Sequence, residues 1–152
     1  MLVVQSNLAD TYAKLGRKEE ALRLRRDGYS GYLKLHGEED EDTLIAAINY
    51  VASLGELERF GEAKSLLRKI MPVAPHVLGE SHETTLRMRQ SYAAALYNDP
   101  GATLEDLREA VTTFEDIGRI ARRVLGGTHP YFLGIEKSLR IARAVLARAE
   151  SA

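Results

Sequence analysis

Cysteine is absent from the 152 residues. That excludes a disulfide framework and any thiolate zinc site. Long apolar runs are absent as well. The longest are a few residues, far short of the roughly 20 that a membrane-spanning helix needs. The start, Met1-Leu2-Val3-Val4-Gln5, lacks the basic segment and long apolar stretch of a secretory leader. An excess of either charge is missing: the net charge is −1 and the pI about 6.4. A nucleic-acid footprint would need a basic stripe and a high pI. The bulk properties therefore predict a soluble, cytoplasmic chain that binds neither membrane nor nucleic acid.

What is present is ordinary in amount and unusual in arrangement. Apolar residues make up 45% and charged residues 28%, as in a typical globular fold. The length fits one domain with a real core. The charge is unevenly spread: residues 1–36 carry +3, residues 37–79 carry −4, and the rest balances. The acidic run Glu38 to Asp42 falls where a helix should begin, a favourable place for negative charge. A solvated helix start is its simplest reading, with an acidic docking patch as the alternative.

One phrase occurs three times. It is Leu35-His36-Gly37-Glu38-Glu39-Asp40-Glu41-Asp42-Thr43-Leu44, then Val77-Leu78-Gly79-Glu80-Ser81-His82-Glu83-Thr84-Thr85-Leu86, then Val124-Leu125-Gly126-Gly127-Thr128-His129-Pro130-Tyr131-Phe132-Leu133. The spacing is 42 residues and then 47. A phrase that returns at such a period marks stacked repeats. Other segments then align: Asn7-Leu8-Ala9-Asp10-Thr11-Tyr12 with Asn49 to Leu54 and Ser91 to Leu96, and Ala21 with Ala63 and Ala110. The third copy has five extra residues around Asn98-Asp99-Pro100-Gly101, a strong turn signal that predicts a longer loop.

Each copy reads as two helices, with apolar residues at helical spacing. These are Leu8, Tyr12, Leu15, Ala21, Leu24, Gly28, Tyr32 and Leu35 in the first copy. The second has Tyr50, Val51, Leu54, Ala63, Leu66, Leu67 and Ile70, and the third Tyr92, Ala93, Leu96, Ala110, Phe114, Ile117 and Ala121. Helices are expected near 3–15, 18–36, 41–55, 60–78, 83–97, 103–125 and 130–150. Ala9, Ala21 and Gly28 are small where helices should approach closely. The phrase is punctuation: a glycine able to take the left-handed cap conformation, Ser81 or Thr128 as the next N-cap, and His82 and His129 helping to pin the helix start. Pro130 suits a first turn. Pro72 and Pro75 fall inside the fourth helix and predict a kink or break between about Lys69 and His76.

The pattern Leu8-Ala9…Tyr12…Gly16…Glu19-Glu20-Ala21 resembles the tetratricopeptide repeat. The 42-residue period and the Leu-Gly-x-x-His-x-x-x-Leu joint resemble its kinesin-light-chain type. The resemblance covers about 1–133 and implies an all-α fold, an α-solenoid with a right-handed superhelix of antiparallel helix pairs. It gives one domain over 1–152, with repeats about 1–40, 41–82 and 83–129 and a capping helix over 130–150. It implies that the first helices of the pairs line a concave groove holding a partner's peptide or helix. In that type an asparagine before the Leu-Ala pair grips the peptide backbone, which an amide suits because it donates and accepts. Asn7 and Asn49 fit that position and Ser91 replaces it. Register extends the groove candidates to Val3, Ser6, Asp10, Lys14, Ile45, Ile48, Ala52, Arg87, Gln90, Ala94 and Asn98. Arg140 and Arg143 stand where packing residues would be, as on a polar cap. The uncapped start at Leu2, Val3 and Val4 leaves two readings. In the favoured one the chain is the C-terminal part of a longer array. In the other a second copy covers the end.

Catalytic signals are missing from the sequence. His36, His76, His82 and His129 are the only histidines, and none forms a clustered metal motif. There is no nucleophile elbow, phosphate loop or paired-carboxylate constellation. Arg23, Arg25, Arg26 and Lys34, with Tyr29 and Tyr32 between them, do not share one face as phosphate binding would require. The expectation is a non-catalytic protein-interaction scaffold without cofactor or metal. The alternatives are a self-association module, dimeric through the N-terminal helix, and an accessory domain of a larger signalling protein.

Overall fold

A computed structural model describes residues 2–152, with side chains from Gln5 onward. The apolar side chains of Leu2, Val3 and Val4, with the groove assignment of Val3 and the dimer expectation that rests on them, lie outside the described residues. The described residues form eight helices: α1 (Leu2–Lys14), α2 (Lys18–His36), α3 (Glu41–Glu56), α4 (Phe60–Ile70), α5 (Val73–Leu78), α6 (Glu83–Asn98), α7 (Leu104–Leu125) and α8 (Pro130–Ser151). Among the described residues there is no strand. Among them no helix is long and apolar enough to cross a membrane. Consecutive helices pack on one another, and α3, α6 and α8 also touch side by side. The result is a two-layered α-solenoid, with α3, α6 and α8 in one layer and α2, α4 and α7 in the other.

Each helix is amphipathic and needs its neighbours to cover it. In α7, Leu107, Ala110, Val111, Phe114, Ile117 and Ala121 are buried. Leu44, Leu54, Leu67, Leu86, Met88 and Leu96 join Phe114 and Ile117 in the core between the layers. The third copy packs as its pattern predicts. The first departs from it: Leu8 is 41% exposed, Leu15 67% and Leu35 71%. Ala9 and Ala21 are fully buried. The position of Leu8 recurs as Tyr50, packed against the core, and Tyr92, inside it. Tyr50 stacks against Tyr29 of α2, and Tyr92 accepts from Arg68 of α4. Gly28 is not a close-approach site, because a Cβ there would meet nothing within 4 Å.

The expected break falls at Met71–Pro72, between α4 and α5. Pro72 has no N–H for the Arg68 carbonyl and Pro75 none for that of Met71. Pro75 is the third residue of α5, where an N–H would have no partner in any case. The turn between α6 and α7 spans 99–103, against 15–17 and 57–59 in the earlier pairs. Thr103 and Asp106 close it with a reciprocal capping box, which satisfies two amides at once.

The repeated phrase caps helices, with two differences from expectation. Gly37, Gly79 and Gly126 have φ of 84°, 97° and 93° with ψ of 176°, 158° and 158°. That is an extended region reserved for glycine rather than the left-handed helical one. The N-caps are the residues three further on, not Ser81 or Thr128. Asp40 accepts from the Thr43 amide at 3.2 Å. His82 Nδ1 accepts from Thr84 and His129 Nδ1 from Tyr131, each at 3.1 Å. A histidine reaches its amide as an aspartate does, provided Nδ1 keeps its lone pair. The other nitrogen of His82, Nε2, then lies 3.4 Å from a Glu41 carboxylate oxygen and joins the starts of α6 and α3.

Candidate functional site: the face of α1, α3 and α6

Asn7, Asn49 and Ser91 occupy one repeat position on α1, α3 and α6. The solenoid brings two cavities to this face. The smaller, about 90 Å³, lies among α1, α2 and α3 and is bordered by Ser6, Arg25, Gly28, Tyr32, Ile45 and Asn49. The larger, about 360 Å³, opens among α3, α4 and α6. Its lining is mostly small: Ala52, Gly55, Ala63, Ala94 and Ala95, together with Val51. Ser91 and Asn98 border it on α6, Glu56 and Glu58 on the α3 side, and Phe60 at the start of α4.

The predicted row is therefore divided. Asn49 and Ser6 share the smaller cavity, and Ser91 and Asn98 share the larger one. Asn7 is exposed on α1 and borders neither; its carbonyl accepts from the Thr11 hydroxyl at 3.0 Å. Arg87 is exposed and Gln90 half-buried on α6, outside both cavities. Asp10 is held by Arg25 at 2.8 Å. Ile48 is a correction: it is 4% exposed and part of the core. It precedes Asn49 by one residue, and one step along a helix turns about 100° away from the face.

Two ion pairs brace the face. Arg25 donates to Asp10 on α1 and, at 2.7 Å, to the Ser53 hydroxyl on α3, tying three helices. It was a nucleic-acid candidate in the sequence and is a strut in the fold. Lys64 on α4 donates to Asp99 at 2.7 Å, and the Gly101 amide donates to the same carboxylate at 2.9 Å. The Lys64 bond, then the Gly101 bond, hold the Asp99 carboxyl below the usual carboxylate range. Tyr29 stacks on Tyr50 with ring centroids 6.2 Å apart, as part of the packing. Among the described residues no three acids or histidines gather where they could hold a metal ion.

Val51, Gly55, Glu56, Glu58, Phe60, Ala63 and Ala95 also border the larger cavity and were not among the groove candidates; Glu56 and Glu58 are the charged ones. Glu56 follows Asn49 by seven residues, as Asn98 follows Ser91 and Lys14 follows Asn7. Carrying the helical register two turns further would have found it.

Residues 2–42 match the family model for the tetratricopeptide repeat. A crystal structure of nearly identical TPR-like repeats from Podosopora anserina, described as kinesin light chain, superposes with a TM-score of 0.86 at 21% identity. It covers 99% of this chain and 68% of its own. This is a tetratricopeptide-repeat fold. It is the fold of the kinesin-light-chain-like repeats, to which this chain is similar along 99% of its length. A second crystal structure of the Podosopora anserina repeats gives the same score and identity over 99% and 69%. BtubC (BKLC) from P. vanneervenii gives 0.71 at 15% identity over 99% and 62%. No curated protein matches the sequence.

Proposed function

We propose that the chain is a non-catalytic scaffold whose α1–α3–α6 face takes an extended peptide or a helix from a partner protein. The observation that carries this reading is the larger cavity. It is open, alanine and glycine make up much of its lining, and Ser91 and Asn98 are among the residues that border it. Small residues leave room for a side chain of another molecule. A hydroxyl and an amide can bond a peptide backbone whatever its sequence. A repeat solenoid supplies such surfaces by stacking, and tetratricopeptide folds supply them to protein partners.

The test is selection of random peptides displayed on phage, panned on the wild type, Ala94→Trp and Asn49→Leu. Ala94→Trp fills the cavity and should abolish recovery of the selected peptides. Asn49→Leu removes an amide beside the smaller cavity and should weaken binding by on the order of 1 kcal/mol. Equal retention of the same peptides by all three folded proteins would overturn the reading.

A further inference from the structure

The larger cavity has a charge as well as a shape. Glu56 and Glu58 border it and are exposed. Two of the three nearby cations are engaged by other carboxylates, and the third meets a backbone carbonyl rather than a carboxylate. Arg59 pairs with Glu62 at 2.8 Å, Lys64 with Asp99 at 2.7 Å, and the Lys18 ammonium lies 3.5 Å from the Glu56 backbone carbonyl. Among the described residues neither Glu56 nor Glu58 has an ion-pair partner within 4.0 Å. Two helices, α3 and α6, end here, and neither has a basic residue in its last turn. The carbonyl end of α6 adds partial negative charge, while that of α3 is met by Lys18. The start of α4 also borders the cavity, but Glu62 sits in its first turn and offsets its positive end.

Resting on the reading that this face binds a partner, we propose that the larger cavity takes a lysine or arginine side chain from a basic peptide segment. The aliphatic stem lies over Ala52, Gly55, Ala94 and Ala95, and the cationic head meets Glu56 and Glu58. Long basic side chains bury their stems on apolar surface while the head stays at the polar edge. That matches a lining of alanine and glycine beside two exposed carboxylates. An acidic peptide would meet unpaired like charge there and be rejected.

The experiment is phage selection of random dodecapeptides on the wild type. The recovered peptides are then measured by fluorescence anisotropy, as fluorescein-labelled synthetic peptides, against wild type, Glu56→Gln, Glu58→Gln, Glu58→Gly and Ala94→Trp. Circular dichroism confirms that each variant is folded. The proposal expects enrichment of lysine and arginine. It expects affinity to fall about threefold for each carboxylate removed at low salt, the scale of an exposed ion pair, and the differences to shrink at high salt. Glu58→Gly should bind more weakly while melting at a higher temperature, which separates lost charge from damaged structure. Peptides that Ala94→Trp excludes but that show no basic enrichment, or that bind both glutamine variants as well as wild type, would overturn this inference and leave the groove reading standing. No enrichment at all, or binding indifferent to Ala94→Trp, would overturn both.

Discussion

Gly16 and Glu58 occupy the same turn of successive helix pairs, and both have positive φ, 77° and 57°. In each, the next residue's amide donates to the carbonyl five residues back, Arg17 to Tyr12 and Arg59 to Leu54, both at 2.8 Å. Glycine meets this geometry without a Cβ penalty and glutamate does not. Glu58→Gly should therefore stabilise the protein by about 1 kcal/mol, less what the more flexible unfolded chain takes back. The expected rise in melting temperature is about 3 °C, read by circular dichroism. A fall would mean that the Glu58 side chain makes a folded-state contact outweighing its backbone strain.

His82 and His129 carry out on α6 and α8 what Asp40 does on α3. His129→Ala leaves the Tyr131 amide without its acceptor and should cost about 1 kcal/mol. His129→Asp restores an acceptor and adds a negative charge at a helix N-terminus, so it should match or exceed the wild type. Urea titrations of the three proteins rank them directly. Equal stability of His129→Ala and the wild type would remove histidine capping from the account. At His82 the aspartate would face Glu41, and the same exchange should gain less there.

How much of this was legible in the sequence depends on which residues act alone. Gly37, Gly79 and Gly126 announce helix ends by type and spacing, and Pro72 announces a break, because their constraint is in their own backbone. The packing of copies two and three was legible from spacing for the same local reason. Exposure of Leu8 and Leu15 was not, since burial depends on whether another layer covers them. The division of Asn49 and Ser91 between two cavities depends on how three helices splay, which no single helix records. Ile48 was misplaced by a one-residue reading of a helical face. Arg25 looked like a free cation because its partners, Asp10 and Ser53, lie on two other helices.

Acid should loosen the turn after α6. The Asp99 carboxyl is held below its ordinary range by Lys64 and the Gly101 amide, so the folded state favours the carboxylate. Its stabilisation is in place above the unfolded-state pKa, about 3.9 for aspartate, and is lost as pH falls through the lower folded value. Asp99→Asn should be less stable than the wild type at pH 7, with the gap closing as the pH drops below about 4. Urea midpoints across that range would show it. A gap that stays constant down to the lowest pH would mean that Asp99 acts by shape rather than charge.

Gly28 turns a failed expectation into a usable variant. Its place in the middle of α2 implied a close helix approach, yet a Cβ there has open space around it. The residue borders the smaller cavity beside Ser6 and Asn49. Glycine inside a helix costs about 1 kcal/mol against alanine, and nothing in the packing requires it. Gly28→Ala should raise stability by about that amount, visible as a shifted urea midpoint with unchanged slope. Gly118 makes the control, being buried on α7. There a Cβ would meet Ile135 at 3.6 Å and Glu136 at 3.8 Å, ordinary contact distances. Alanine should fit at 118 as well, whereas a leucine should be tolerated only at 28, where the cavity can receive it. If leucine at 28 also blocks peptides that Asn49 helps to hold, the smaller cavity takes part in binding. If it leaves peptide affinity unchanged, the smaller cavity is a packing gap and recognition belongs to the larger one alone.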